Sequence, residues 1–143
     1  MARLQINTGV KSYEIEDENG KLLGTIYIYP NDFNFGKRAE DARKNIVTLV
    51  EKAEEIANDE TKDAANEIFE LDRKIKAELD TMFNSNVSET VFNGLNCLNL
   101  NNGEYFIIRF LNLIVPVITK EMEKSAKESN NRIDKYASQA SKR

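Results

Sequence analysis

Hydrophobic residues alternate with polar ones along two short stretches between residues 12 and 29. This period of two is typical of a strand with one buried face. The stretches flank Asn19-Gly20, a pair that favours a type I′ hairpin turn because both central residues of that turn need positive φ. We therefore predict a β-hairpin over about residues 12–29, to which Leu4 and Ile6 could add a third strand.

Two longer stretches follow in which apolar residues recur at intervals of three and four, the spacing of an amphipathic helix. They predict helices over about residues 35–57 and 61–83. Pro30 stops the preceding strand, and the short polar connection between the helices favours an antiparallel helical hairpin. The candidate N-caps are Asn31, Asp32 and Asn34 for the first helix, and Asp59 or Thr61 for the second.

A third helix is predicted over about residues 104–123. It follows a link with seven asparagines between Asn84 and Asn102, a composition that indicates turns. Apolar residues occur on nearly all sides of this helix, which is the pattern of a buried helix. Pro116 is expected to kink it or to mark its restart.

The chain as a whole predicts a single, mostly helical α+β domain over residues 1–124. In this domain the β-hairpin packs on the helical hairpin and on the apolar third helix. Residues 125–143 form a polar and basic segment, which we predict to be a disordered tail.

Composition narrows the classes of function. The 143 residues include no histidine, which removes the commonest general acid or base and the commonest metal ligand, so we expect neither an enzyme nor a metal or cofactor site. The net charge of −4 argues against nucleic acid as a partner. The single cysteine, Cys97, and the lack of a long apolar run predict a cytoplasmic protein that does not enter a membrane.

Aromatic and apolar side chains are the remaining candidates for function. The third helix is either the central helix of the core or, where the domain leaves it uncovered, a surface for a partner protein. Phe33 and Phe35 are either docking residues or scaffold that packs on the first helical turn and the sheet. The candidate partner-binding residues are therefore Tyr105, Phe106, Phe110 and Leu113, with Phe33 and Phe35.

Three stretches together resemble a family of small tail assembly chaperones from tailed phages and prophages of Gram-positive bacteria. They are GTIYIYPNDFNFGKRAEDA, VSETVFNGLNCLNLNNGEYFIIRFL and the short end rich in Lys, Arg, Asn and Ser. The resemblance covers about residues 12–124.

This resemblance implies a non-enzymatic protein that binds the long helical tape measure protein in the host bacterial cytoplasm and keeps it soluble while the tail assembles. It also implies a second partner, the tail tube protein, reached through a longer frameshifted form. The apolar helix and the helical hairpin predict a homo-oligomer. Two other classes remain open: a structural tail or head-tail connector component, and a small regulatory protein-binding module.

Overall fold

The structure is a computed structural model that describes residues 1–59 and 63–141, with side chains described as far as residue 128. The described chain has the predicted α+β fold, with an N-terminal two-stranded hairpin and four helices, of which one is a short turn of helix. In chain order the elements are β1 (Lys11–Glu16), β2 (Leu22–Ile28), α1 (Phe33–Ala57), α2 (Ala64–Phe83), α3 (Val87–Phe92), β3 (Leu100–Asn101), β4 (Glu104–Tyr105) and α4 (Phe106–Ser141).

The first hairpin pairs β1 with β2 in antiparallel register and buries Ile26 and Ile28 completely. Its turn differs from the prediction. The Asp17 side chain accepts hydrogen bonds from the backbone N–H of Asn19 (2.8 Å) and of Lys21 (3.0 Å), and Gly20 alone of the Asn-Gly pair has positive φ. The type I′ prediction at this position was therefore wrong, because an aspartate that caps the turn from its first position stabilises a different backbone path.

The predicted third strand is absent from the described residues. Leu4 and Ile6 lie in a segment without regular structure, and both side chains are exposed. Two apolar residues in a polar segment do not provide a continuous face that the sheet could bury.

Helices α1 and α2 form the predicted antiparallel hairpin, and their apolar stripes face each other in the core. The Asp32 carboxylate caps α1 by accepting from the backbone N–H of Asn34 (2.9 Å). Phe35, in the first turn of α1, packs edge-on against Phe83, the last residue of α2, with ring centres 6.1 Å apart. The N-cap of α2 is Asp63 rather than Asp59, and the alternative cap, Thr61, lies outside the described residues.

A second, very short hairpin stands where the third helix was predicted to begin. Strands β3 and β4 pair antiparallel across Asn102 and Gly103, whose φ angles are +55° and +77°. Positive φ at both positions is the signature of a type I′ turn, so the Asn-Gly signal applies at this second site and not at the first.

Helix α4 starts two residues later than predicted and continues to Ser141 without a restart at Pro116. Pro116 has no N–H group to donate to the carbonyl oxygen of Asn112, four residues earlier. Both residues are exposed, so water can donate to that oxygen instead. The helix thus extends past its predicted end at residue 123 into the segment that was predicted to be a disordered tail, and the disorder of that segment stays a prediction. Over the residues described, no helix has both the length and the apolar character needed to cross a membrane.

Candidate protein-docking groove

The asparagine-rich link between α3 and α4 is held against α2 by a buried carboxylate. Asp72, on α2, accepts a hydrogen bond from the backbone N–H of Cys97 (2.8 Å) and pairs with Lys76 one turn later (3.1 Å). Lys76 in turn donates to the backbone carbonyl of Leu95 (2.8 Å). These bonds fix the backbone on both sides of Asn96 to α2, and the first of them satisfies the buried N–H of Cys97.

The thiol of Cys97 is part of this anchor. It is fully buried and lies 3.9 Å from the carbonyl oxygen of Asp72, the geometry of a weak S–H donor. Burial, followed by the hydrogen bond and the negative charge of Asp72, raises the pKa of the thiol far above its ordinary range. Cys97 is therefore a small buried hydrophobe and not a nucleophile at physiological pH.

The link also provides the start of α4. The backbone N–H of Phe106 donates to the carbonyl of Asn99, and the N–H of Ile107 donates to the carbonyl of Cys97, both at 2.9 Å. These bonds pair two of the donors that a helix start leaves free. As a result, the direction in which α4 leaves the link is set by the same residues that α2 holds.

Three aromatic rings join α3 to α4. Phe92 makes edge-to-face contacts with Phe106 and with Phe110, at ring-centre distances of 4.8 and 6.5 Å. Phe92 and Phe110 are buried, whereas Phe106 is half-buried. Such pairs add about 0.5–1.5 kcal/mol each beyond the burial of their area. The three rings thus form a packed apolar layer between α3 and α4, which is the floor of a groove.

Above this floor lies an open groove of about 490 Å³. Three leucines that line it keep more than half of their surface exposed: Leu95 at 54%, Leu100 at 63% and Leu113 at 60%. A cluster of exposed apolar side chains around a concavity is typical of a protein interaction site. The other apolar residues that line the groove are Ile15, Leu23, Val91, Phe92, Phe106 and Phe110.

The groove also carries charge. The first hairpin contributes Glu16, Asp17 and Glu18 to its lining, and α4 contributes Arg109. The Arg109 guanidinium lies over the ring of Phe106, 5.1 Å from its centre, and its Nε is buried with no hydrogen-bond partner. This stacking holds the cation against the apolar floor.

Three of the six predicted partner-binding residues meet in the groove: Phe106, Phe110 and Leu113. Leu113 offers an exposed side chain, whereas Phe110 is only 3% exposed and belongs mainly to the core. Tyr105 is half-buried in β4, paired with Leu100 of β3, and is not among the residues that line the groove.

The structure corrects the assignment of the two phenylalanines of α1. Phe35 is completely buried against Phe83, so it has no surface for a partner and belongs to the scaffold. Phe33 is 95% exposed, so the packing role considered for it fails, and it does not line the groove. Two residues in the same first turn of α1 thus differ in burial, with one ring in the core and the other in solvent.

Sequence reasoning missed Leu95, Leu100 and Arg109 as groove residues. The two leucines stand among asparagines in the link, with no periodic pattern that would place them on a common face. The arginine lies inside an apolar run, and the hydropathy pattern alone treats it as an interruption. Only the folding of the link onto α2 brings these three side chains together.

Within the described residues, no group of three or more His, Cys, Asp or Glu side chains converges in a way that could hold a metal ion. Comparison of the chain with protein-family models, with curated proteins and with solved structures gives no significant match.

Proposed function

We propose that this protein is a non-enzymatic tail assembly chaperone, which binds apolar helical segments of a tape measure protein in the host cytoplasm and keeps them soluble. The observation that carries the proposal is the groove with its three exposed leucines, Leu95, Leu100 and Leu113. The resemblance of residues 12–124 to the chaperone family supports the choice of partner.

The shape and lining of the groove suit a helix with one apolar face. Its floor is formed by aromatic rings held by edge-to-face contacts, and its exposed leucines stand around that floor. An amphipathic helix that lies in an apolar groove buries side chains spaced by three and four residues. A tape measure protein with exposed apolar heptads would offer many such segments, so one chaperone surface could act repeatedly along it.

Co-expression with a helical fragment of the tape measure protein tests the proposal. The wild-type chain should keep the fragment in the soluble fraction and co-purify with it. Leu113→Asp should abolish this, because it places an uncompensated charge among apolar side chains. Leu113 is the better test position, since an aspartate at the nearly buried Phe110 would disrupt the core.

Phe33→Asp is the matched control, because it also replaces an exposed apolar residue by aspartate but lies outside the groove. It should fold and bind like the wild type. Equal binding by wild type and Leu113→Asp would rule out the groove as the docking site. Failure of the wild type to retain the fragment, together with detection of the protein in purified particles by mass spectrometry, would instead favour a structural tail or connector component.

A further inference from the structure

The three carboxylates in the groove lining all come from one side, the turn of the first hairpin and the strand end before it. Their roles differ. Asp17 is engaged by two backbone N–H groups of the turn, at 2.8 and 3.0 Å. Glu16 and Glu18 are exposed, and no salt bridge within the described residues includes either of them. Two charges at the edge of an apolar groove thus have no ion-pair partner among the residues that the structure describes.

Arg109 does not neutralise these glutamates. Its guanidinium is stacked on Phe106, and within the residues described no ion pair joins it to an acidic group. The lining of the groove therefore carries three acids against one base, with the acids on the hairpin and the base on α4. A bound helix with no basic side chain near the hairpin would place apolar or acidic atoms beside the carboxylates of Glu16 and Glu18, which is unfavourable.

We propose that the groove selects helices whose apolar stripe is bordered by lysine or arginine, which pair with Glu16 and Glu18 at the hairpin edge. This inference rests on the proposed function and adds to it the chemistry of the segment that is recognised. The leucines supply contact area, and the glutamates discriminate between helices that have equally apolar faces.

Two synthetic amphipathic peptides test the inference. They have the same length and the same leucine stripe, and they differ only in the residues that border the stripe, lysine in one and glutamate in the other. Circular dichroism first establishes that their helicity is equal. Fluorescence anisotropy with the full chain should then give a Kd that is about three- to tenfold lower for the lysine peptide, the range expected for two exposed ion pairs. The preference should weaken as salt is added.

A double variant with a matched control separates local recognition from overall charge. Glu16→Gln/Glu18→Gln should remove most of the preference for the lysine peptide. Glu51→Gln/Glu55→Gln removes two exposed glutamates of α1 that do not line the groove, so it changes the net charge equally and should keep the preference.

The outcomes are distinct. The charge selection is overturned if the wild type binds both peptides with equal affinity, or if the two double variants have the same effect. If Leu113→Asp still abolishes binding of both peptides in that case, the groove and the proposed function stand. Binding of neither peptide to the wild type also overturns the inference, and the proposed function is then judged by co-expression with the tape measure fragment, which does not use these peptides.

Discussion

Asparagine has a backbone role at three points of this chain. Asn84 and Asn93, the C-caps of α2 and α3, and Asn102, in the β3–β4 turn, all adopt positive φ, between 48° and 55°. Asparagine tolerates the left-handed conformation better than other residues with a side chain, apart from its close relative aspartate. Three of the seven asparagines between Asn84 and Asn102 thus lie at chain reversals, a role that the sequence indicates only as a general preference for turns.

At the same scale, the buried thiol of Cys97 predicts a dependence of stability on pH. The folded chain keeps the thiol protonated because its pKa is raised, whereas the unfolded chain ionises it above a pKa of about 8.5. Rising pH then favours the unfolded state. The contribution to the free energy of unfolding should fall with a slope that approaches about 1.4 kcal/mol per pH unit before the tyrosines begin to titrate near pH 10.

Denaturant unfolding at a series of mildly alkaline pH values measures this slope. Cys97→Ala, whatever its own stability, lacks the thiol and should show a flatter profile, so the wild type should lose stability relative to the variant as pH rises. Parallel profiles for wild type and variant would contradict the assignment.

At the scale of elements, α3 is held by α2 more than by its own sequence. Its N-cap residue, Asn86, makes no capping hydrogen bond with its side chain. Instead the carboxylate of Asp80 accepts from the backbone N–H of Ser88 (2.7 Å) and from its hydroxyl (2.8 Å). A helix of six residues cannot be stable alone, so this cap from a neighbouring helix and the burial of Phe92 provide its stability.

Asp80→Ala should therefore lower the free energy of unfolding by about 0.5–2 kcal/mol, the cost of losing a helix cap. Glu70→Ala, on the same helix, removes an exposed carboxylate that pairs with Arg73 at 3.4 Å, and it should change stability by less than about 0.5 kcal/mol. Chemical denaturation compares the two. An Asp80→Ala protein as stable as Glu70→Ala would show that α3 does not need the cap.

At the scale of the whole molecule, the described core contacts of α4 come from its N-terminal half. The last buried residue of its described part is Ile118, followed by the half-buried Met122, whose Cε approaches Gly36 of α1. The hydroxyl of Ser125 then donates to the side-chain oxygen of Asn31. The predicted domain boundary at residue 124 stays a prediction, which truncation can test.

A chain that ends at residue 128 should consequently unfold with a free energy within about 0.5 kcal/mol of the full chain, since it keeps every core residue that the structure describes. A chain that ends at residue 117 loses Ile118 and Met122 and should be less stable by at least about 1.5–3 kcal/mol. Thermal or chemical unfolding distinguishes the two. A large loss of stability in the chain that ends at residue 128 would show that residues 129–143 contribute to the fold.

The sequence by itself determined the elements whose pattern is local: the first hairpin, the helical hairpin and the apolar character of α4. Period and polarity decide these because each element must bury one face. The same rules failed at Asn19-Gly20, where hydrogen bonds to the Asp17 side chain stabilise a turn of another type. They also failed just before α4, where Asn102 and Gly103 form the turn of a short hairpin.

Only the tertiary structure decided where the groove lies. It buried Phe35, left Phe33 exposed, and brought Leu95 and Leu100 beside Leu113 because Asp72 holds the backbone of the link. That hydrogen bond joins residues 25 positions apart, and no local pattern encodes it. Hydropathy indicates which residues avoid water, but the packing of distant segments determines which of them stay exposed to meet a partner.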